Sequence, residues 1–187
     1  MKRNQVVLLY GLPASGKYTV AKQIQEKCGG VLLDNHYFYD LFIGMTEGTD
    51  EKWHDYIHRV SAVRNAFLDV VRHFYPTKKY TRYIFTSVLL RGEKLPGQLR
   101  KFAHDINADF IPIELAVSNN ALVNRCETPE RERRKKIHNK EKYRKMLQEW
   151  DGAAFHSNHV NRLVVDSTDL SIEDTFKQIK KHLKKFD

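Results

Sequence analysis

Cysteine is almost missing from this chain: Cys28 and Cys126 are the only two in 187 residues. Two thiols so far apart in sequence build neither a disulfide framework nor a zinc site, so a reduced, cytoplasmic protein is the simplest expectation. Long apolar runs are missing too. No stretch approaches the roughly 18 consecutive apolar residues of a membrane span, and no membrane partner is expected. Met1-Lys2-Arg3-Asn4-Gln5 before an apolar run imitates a signal peptide. That run stops after about six residues at a glycine turn, so the signal reading fails. There are no repeats, low-complexity tracts or obvious linkers, which makes residues 1–187 one expected domain.

Acidic residues are in deficit: 23 Asp and Glu against 32 Lys and Arg, a net charge of +9. Such a balance raises a nucleic-acid partner as a reading, but the distribution argues against it. One basic cluster lies between Arg131 and Lys145. The other decorates a C-terminal segment in which Ile172, Phe176, Ile179, Leu183 and Phe186 recur at helical spacing, so its lysines read as a solvated helix face. With 41% hydrophobic and 29% charged residues the composition is globular, and the length suits one α/β domain with a core.

The informative stretch is Gly11-Leu12-Pro13-Ala14-Ser15-Gly16-Lys17. It follows Val6-Val7-Leu8-Leu9-Tyr10, a β-branched apolar run typical of a buried strand. It precedes Tyr18 to Gln25, a helical pattern with Val20, Ala21 and Ile24 on one face. Strand, glycine-rich turn and helix are the context a phosphate-binding loop requires. Gly11 and Gly16 permit backbone conformations that let the loop's N–H groups converge on phosphate oxygens. The helix start adds partial positive charge, and Lys17 supplies a point charge for the β- and γ-phosphates.

Tyr18 departs from the motif, which carries Ser or Thr there to ligate Mg2+. A phenol reaches too far and ligates poorly. Thr19 is displaced by about 100° around the helix and is the weaker metal candidate, placed more naturally at the α-phosphate. Phosphates, waters and a carboxylate such as Asp34 can hold Mg2+ instead. Impaired metal use, with nucleotide binding but no turnover, stays open.

Further along, Gly29-Gly30 stops the first helix and Val31-Leu32-Leu33 forms a second strand, ending in Asp34-Asn35-His36. Gly44 to Asp50 reads as a turn. Asp50 can cap a helix reaching Phe74, with Trp53, Ile57, Val60, Val63, Phe67, Val70 and Phe74 as its core face, and Pro76 stops it. Arg64 lies among those apolar positions, to snorkel or to reach an anion. Tyr83–Leu90, Phe110–Val117 and Leu163–Asp166 are three more strands, separated by helices. Pro112 implies an edge-like or early position in its strand. Strands alternating with helices mean a parallel sheet covered on both faces.

With the loop, the strand-end Asp34 and the arginine-rich segment before the last strand in view, the chain resembles small P-loop phosphotransferases. It is similar to the nucleoside-monophosphate-kinase-like group, specifically its shikimate kinase, chloramphenicol phosphotransferase and zeta-toxin-like relatives. The resemblance covers nearly the whole chain as an order of elements, and only the P-loop is specific as a motif. It implies a P-loop NTPase three-layer α/β sandwich, with a five-stranded parallel sheet in order 2-3-1-4-5 and a helical lid around 126–140. It implies ATP and Mg2+ as cofactors and a small-molecule acceptor. Gly11, Pro13, Ala14, Ser15, Gly16, Lys17, Tyr18 and Thr19 match the nucleotide cradle. Arg125 matches an arginine that packs on adenine or reaches phosphate. Asp34 matches a carboxylate that takes the acceptor hydroxyl's proton, or else caps a turn. Arg131 or Arg134 would neutralise the transferred phosphoryl, or belong to an exposed helix with pairs such as Glu130–Arg134. The third strand carries Thr86-Ser87 where many P-loop enzymes have an aspartate. An ATP-dependent kinase acting on a small-molecule hydroxyl therefore leads. A nucleotide-binding interaction protein and a polynucleotide 5′-hydroxyl kinase stand as alternatives.

Overall fold

The computed structural model describes residues 3–46, 53–74, 81–92, 94–133 and 136–187. Its sheet is parallel, with β1 (Asn4–Tyr10), β2 (Val31–Asp34), β3 (Arg82–Ser87), β4 (Ala108–Ala116) and β5 (Leu163–Asp166). The strand order is β2-β3-β1-β4-β5, as the resemblance implies. The apolar run of β1 is central and wholly buried, so its alternating side chains feed two separate cores. Val6, Leu8 and Tyr10 pack on one side with residues such as Leu68, Leu99 and Phe102. Val7 and Leu9 pack on the other with Val20, Ile24, Phe176 and Ile179.

The helices supply those partners. α1 (Lys17–Cys28) and α8 (Ile172–Leu183) cover one face, and α3 (Trp53–Phe74) and α4 (Leu95–Asp105) cover the other. α8 starts on Ser171, whose hydroxyl accepts from the Asp174 N–H at 3.0 Å and so satisfies one of the first-turn donors. A third apolar cluster joins α5 (Asn119–Arg125) to α7 (Lys140–Glu149) through Leu122, Cys126, Tyr143 and Leu147. Short α6 (Pro129–Arg133) lies between them.

Several expectations are corrected. The segment after β2 is a helix, α2 (Asn35–Thr46), rather than loop running into a turn at Gly44. Its start is capped by Asp34, whose Oδ1 accepts the His36 N–H at 3.3 Å, which satisfies an orphan donor of the first turn. In α3 the buried positions are Val60, Arg64, Leu68 and Val71, while Val70 is 48% exposed; the stripe is rotated from the expected one. The expected cap Asp50 and stop Pro76 lie outside the described residues, as do the side chains of Trp53, Ile57 and Phe74. β3 ends at Ser87, earlier than expected, and Leu90 instead forms an isolated antiparallel bridge with Ala154. Pro112 is flanked by β1, but β5 pairs only from Ile113 onward. The missing N–H thus falls where β4 has no strand on that side.

Arg82 shows how the bottom of the sheet is closed. It is 3% exposed. Its Nε donates to Gln5 Oε1 at 2.7 Å, and its guanidinium also reaches Cys28 O at 2.8 Å and Asp187 Oδ1 at 3.1 Å. Removing a buried cation that satisfies several acceptors strands them in low dielectric. Arg82→Ala is therefore expected to cost on the order of 2–4 kcal/mol in urea unfolding. Lys101→Ala, which loses only an exposed i,i+4 pair with Asp105, should stay within about 0.5 kcal/mol.

Candidate phosphate-binding cleft

At the carboxyl end of β1 the chain turns sharply. Gly11 has φ 148°, and a Cβ there would lie 2.5 Å from Leu115 O on the neighbouring strand. Glycine is required at this point because the turn passes directly over β4. Ala14 takes a left-handed φ of 62°, and Gly16 ends the loop at φ 87°, as the N-cap of α1. The Ser15 N–H donates to Leu12 O at 3.2 Å, tightening the turn. Left-handed residues alternating just before a helix start are the backbone pattern from which anion nests are built.

Lys17 folds back over the loop. Its Nζ donates to Leu12 O at 2.7 Å, Gly11 O at 2.9 Å and Ser15 Oγ at 3.3 Å. The residue as a whole is half-buried, but its ammonium is enclosed by loop carbonyls. Burial, with the nearby Lys136 and Arg131 cations, pushes its pKa down to about 7; Asp34 opposes them. A lysine shifted this far by burial and like charges holds its proton weakly near neutrality.

The loop opens onto a cavity of about 960 Å³ running across the carboxyl edge of the sheet, where open α/β folds bind ligands. Of the residues singled out from sequence, Pro13, Ala14, Gly16, Lys17, Tyr18, Thr19, Asp34, Arg125 and Arg131 all line it. Gly11 and Ser15 lie behind the loop instead, on a second pocket of about 170 Å³. Arg134 lies outside the described residues. Asp34 is 5% exposed, and its Oδ1 receives the Thr86 hydroxyl at 2.5 Å from the adjacent strand. Arg125 is held by Ser167 O and Thr168 O, both at 2.8 Å, beyond the end of β5. Arg131 donates to Ile137 O at 2.7 and 3.1 Å, which ties the two ends of the arginine-rich segment together. Arg64 does not snorkel. It is 7% exposed and bonded to Asn35 Oδ1 at 2.9 Å and to Gln98 Oε1 at 3.2 Å.

Tyr18 packs its ring against the cluster beneath β1, with Lys136 5.8 Å above the ring centroid. Among the described residues no group of three or more His, Cys, Asp or Glu is placed to hold a metal.

Sequence reasoning missed the far wall. Met146 and Glu149 of α7 and its C-cap Trp150 reach the cavity, as do Tyr39 and Ile172; Ile172 is 47% exposed rather than core. What brings α7 there is Tyr143, fully buried, whose hydroxyl donates to Pro13 O at 2.5 Å. Burial drives its phenol well above the ordinary range, so it stays a donor. No local pattern signals a contact between residues 130 positions apart. A second tie holds the segment after α7. Tyr10 donates to Glu114 Oε2 at 3.2 Å and accepts from the Ser157 N–H at 3.1 Å, while His156 Nδ1 meets Glu114 Oε1 at 2.8 Å. Burial, reinforced by Glu114, pushes the Tyr10 phenol up to about 12.

Comparison with known proteins agrees with this fold. No protein-family model matches the sequence, and no curated protein matches it. Among solved structures, a gluconokinase from Sinorhizobium meliloti aligns at TM-score 0.62 and 16% identity, covering 98% of this chain and 93% of that one. The Mycobacterium tuberculosis APS kinase in complex with AMPPNP and APS aligns at 0.56 and 18%, covering 98% and 99%. Shikimate kinase from Acinetobacter baumannii in complex with shikimate aligns at 0.52 and 15%, covering 97% and 94%. The chain thus has the fold of the P-loop small-molecule kinases.

Tyr143→Phe removes one hydroxyl and leaves Pro13 O without it inside an apolar cluster. A loss of about 1–3 kcal/mol in global stability is expected, with faster amide hydrogen exchange at Ser15 and Gly16. Unchanged exchange in the loop would mean that α7 does not hold it.

Proposed function

We propose that the protein is an ATP-dependent phosphotransferase that moves the γ-phosphoryl to a hydroxyl of a small-molecule acceptor. One observation carries the reading: a single cavity joins the loop around Lys17 to a buried carboxylate, Asp34, at the end of β2, two strands away. Phosphoryl transfer needs positioning and charge neutralisation more than covalent chemistry. The kinase names of the structural neighbours, and the AMPPNP in one of them, support the same class.

In this mechanism the loop amides of Ala14, Gly16 and Lys17, which line the cavity, bind the phosphate chain. Lys17 leaves the Gly11 and Leu12 carbonyls for the β- and γ-phosphates, and recovers its proton as anionic oxygens surround it. Arg125 holds the nucleotide near the end of β5. Arg131 and Arg134, on a lid over 126–140, meet the phosphoryl group in the closed state. Asp34 accepts the acceptor's hydroxyl proton as its oxygen bonds to phosphorus and the β–γ bridging bond breaks. Asp34, with the Thr86 and Ser87 hydroxyls at adjacent strand ends, is an oxygen-only donor set, which suits Mg2+ that keeps much of its shell as water and phosphate. When bound, that ion would neutralise charge on the phosphates. Thr19, exposed on the cavity wall, is better placed for the α-phosphate than for the ion.

Tyr18 supports a second reading. A phenol stands where the metal-ligating hydroxyl of this fold belongs, and its ring is engaged with the core and Lys136. In that reading the protein binds nucleotide to signal to a partner and turns nothing over. Phosphoryl transfer measured with and without Mg2+ separates the two. In the enzyme, wild type needs Mg2+ and Asp34→Asn slows transfer on the order of 10²-fold or more. In the binder, wild type ignores Mg2+ and transfers nothing, while Tyr18→Thr gains metal dependence of ATP binding.

Lys17 also fixes a pH dependence. Its free value near 7 lies below its value beside polyphosphate, so binding above neutrality must take up a proton. Affinity for a non-hydrolysable ATP analogue should therefore fall between about pH 7.5 and 9, by up to about tenfold per unit. Calorimetry in two buffers of different ionisation enthalpy should register the uptake near pH 8. Lys17→Met should bind weakly and lose both the slope and the uptake; a retained slope would place the titrating group elsewhere.

A further inference from the structure

The sheet order divides the cavity into two chemically different halves. β1 and its loop are central, β4 and β5 lie to one side, and β3 and β2 to the other. On the loop itself and toward β5 the cavity is lined by cations: Lys17, Arg125, Arg131 and Lys136. The half over β3 and β2 is different. Its walls include Asp34, Tyr39, Val88, Leu90, Glu149 and Trp150. Among the described residues lining that half there is no Lys or Arg. Its charges are the buried Asp34 and the more exposed Glu149. His36, also there, faces the carboxylate of Asp40 at 3.5 Å. Arg64 lies beneath it, but its guanidinium is bonded to Asn35, Ser61 and Gln98 and is not part of the wall.

An anionic acceptor placed there would meet two carboxylates. Like charges held together in a partly desolvated site are costly, more so beside a buried group. The indole of Trp150 and the ring of Tyr39 instead offer flat apolar surface, and aromatic faces also attract cations. We propose that the acceptor is an uncharged or cationic alcohol with a flat, apolar body. This rests on the phosphotransferase reading of the cleft and separates the chain from neighbours whose own ligands are anions, such as shikimate and APS.

Three benzyl alcohols of matched size test it, carrying carboxylate, carboxamide or aminomethyl at the para position. Each is titrated into the full chain saturated with a non-hydrolysable ATP analogue, and binding is read by ligand-observed NMR. The amide and the amine are expected to bind at least about tenfold more tightly than the carboxylate. Glu149→Gln should shrink the amine's advantage over the amide by a few fold, the scale of an exposed charge pair, and Trp150→Ala should weaken all three together. Equal or tighter binding of the carboxylate overturns the proposal. If that binding is lost in Arg64→Met, the half belongs to an anionic acceptor held by Arg64. Binding of none of the three also overturns it. Transfer from ATP is then followed with the same alcohols. Binding of amide and amine without transfer defeats the phosphotransferase and leaves the ligand class standing. Transfer to the carboxylate alone keeps the phosphotransferase and defeats the ligand class.

Discussion

The turn at Gly11 is the contact on which the rest of this structure depends. A side chain there would sit 2.5 Å from Leu115 O, so the chain leaves β1 flush against β4 only because that Cβ is missing. From that close approach follow the left-handed Ala14, the entry of α1 at Gly16 and the convergence of loop amides. The position tolerates no relaxation, because β1 is the middle strand and both its faces are already packed. The loop is thus a consequence of the sheet, set rigidly by a core that alternates side by side along β1.

A rigid turn still needs its outer side held, and the chain does this from a distance. Tyr143 grips the Pro13 carbonyl, while the Tyr10–Glu114–His156 cluster fixes the segment that follows α7. Tyr143, Tyr10 and Glu114 are buried, where an unmade hydrogen bond is expensive, while His156 closes the second tie from the surface. With the Leu90–Ala154 bridge just beyond β3, they position the end of α7, so that Glu149 and the following Trp150 form a wall of the cavity. Cleft shape and loop shape are therefore not independent: loosening α7 disturbs both.

How much of this was legible follows from how local each signal is. Strands β1, β2 and β5, the loop and α8 are written in adjacent residues, as β-branched runs, glycine spacing and a helical stripe, and the structure agrees with them apart from the exposed Ile172 at the start of that stripe. The parallel sheet and its order came from alternation of elements together with the resemblance. The start of α2 was hidden because Asp34 was read for chemistry, while structurally its carboxylate also caps that helix. Arg64 looked like a snorkelling residue because its partners, Asn35 and Gln98, come from other elements. The rotation that exposes Val70 and buries Leu68 depends on where α3 rests on the sheet, which periodicity alone does not specify. Tyr143, Trp150 and Glu149 carried no motif at all. A residue that acts by reaching across a fold leaves its mark in the partner's position, not in its own neighbours.

The electrostatics of the loop tie these parts together. Arg131 and Lys136 stand close enough to Lys17 to lower its proton affinity, and Lys136 is placed by the Tyr18 ring beneath it. Three basic side chains therefore converge at the loop. Their mutual repulsion opposes charging of Lys17, and an anion placed among them would relieve it. Tyr18 has a part in this arrangement that a Ser or Thr could not fill, since a short hydroxyl offers no face to a cation. The same residue that lacks a short metal-ligating hydroxyl thus offers a face to the Lys136 ammonium.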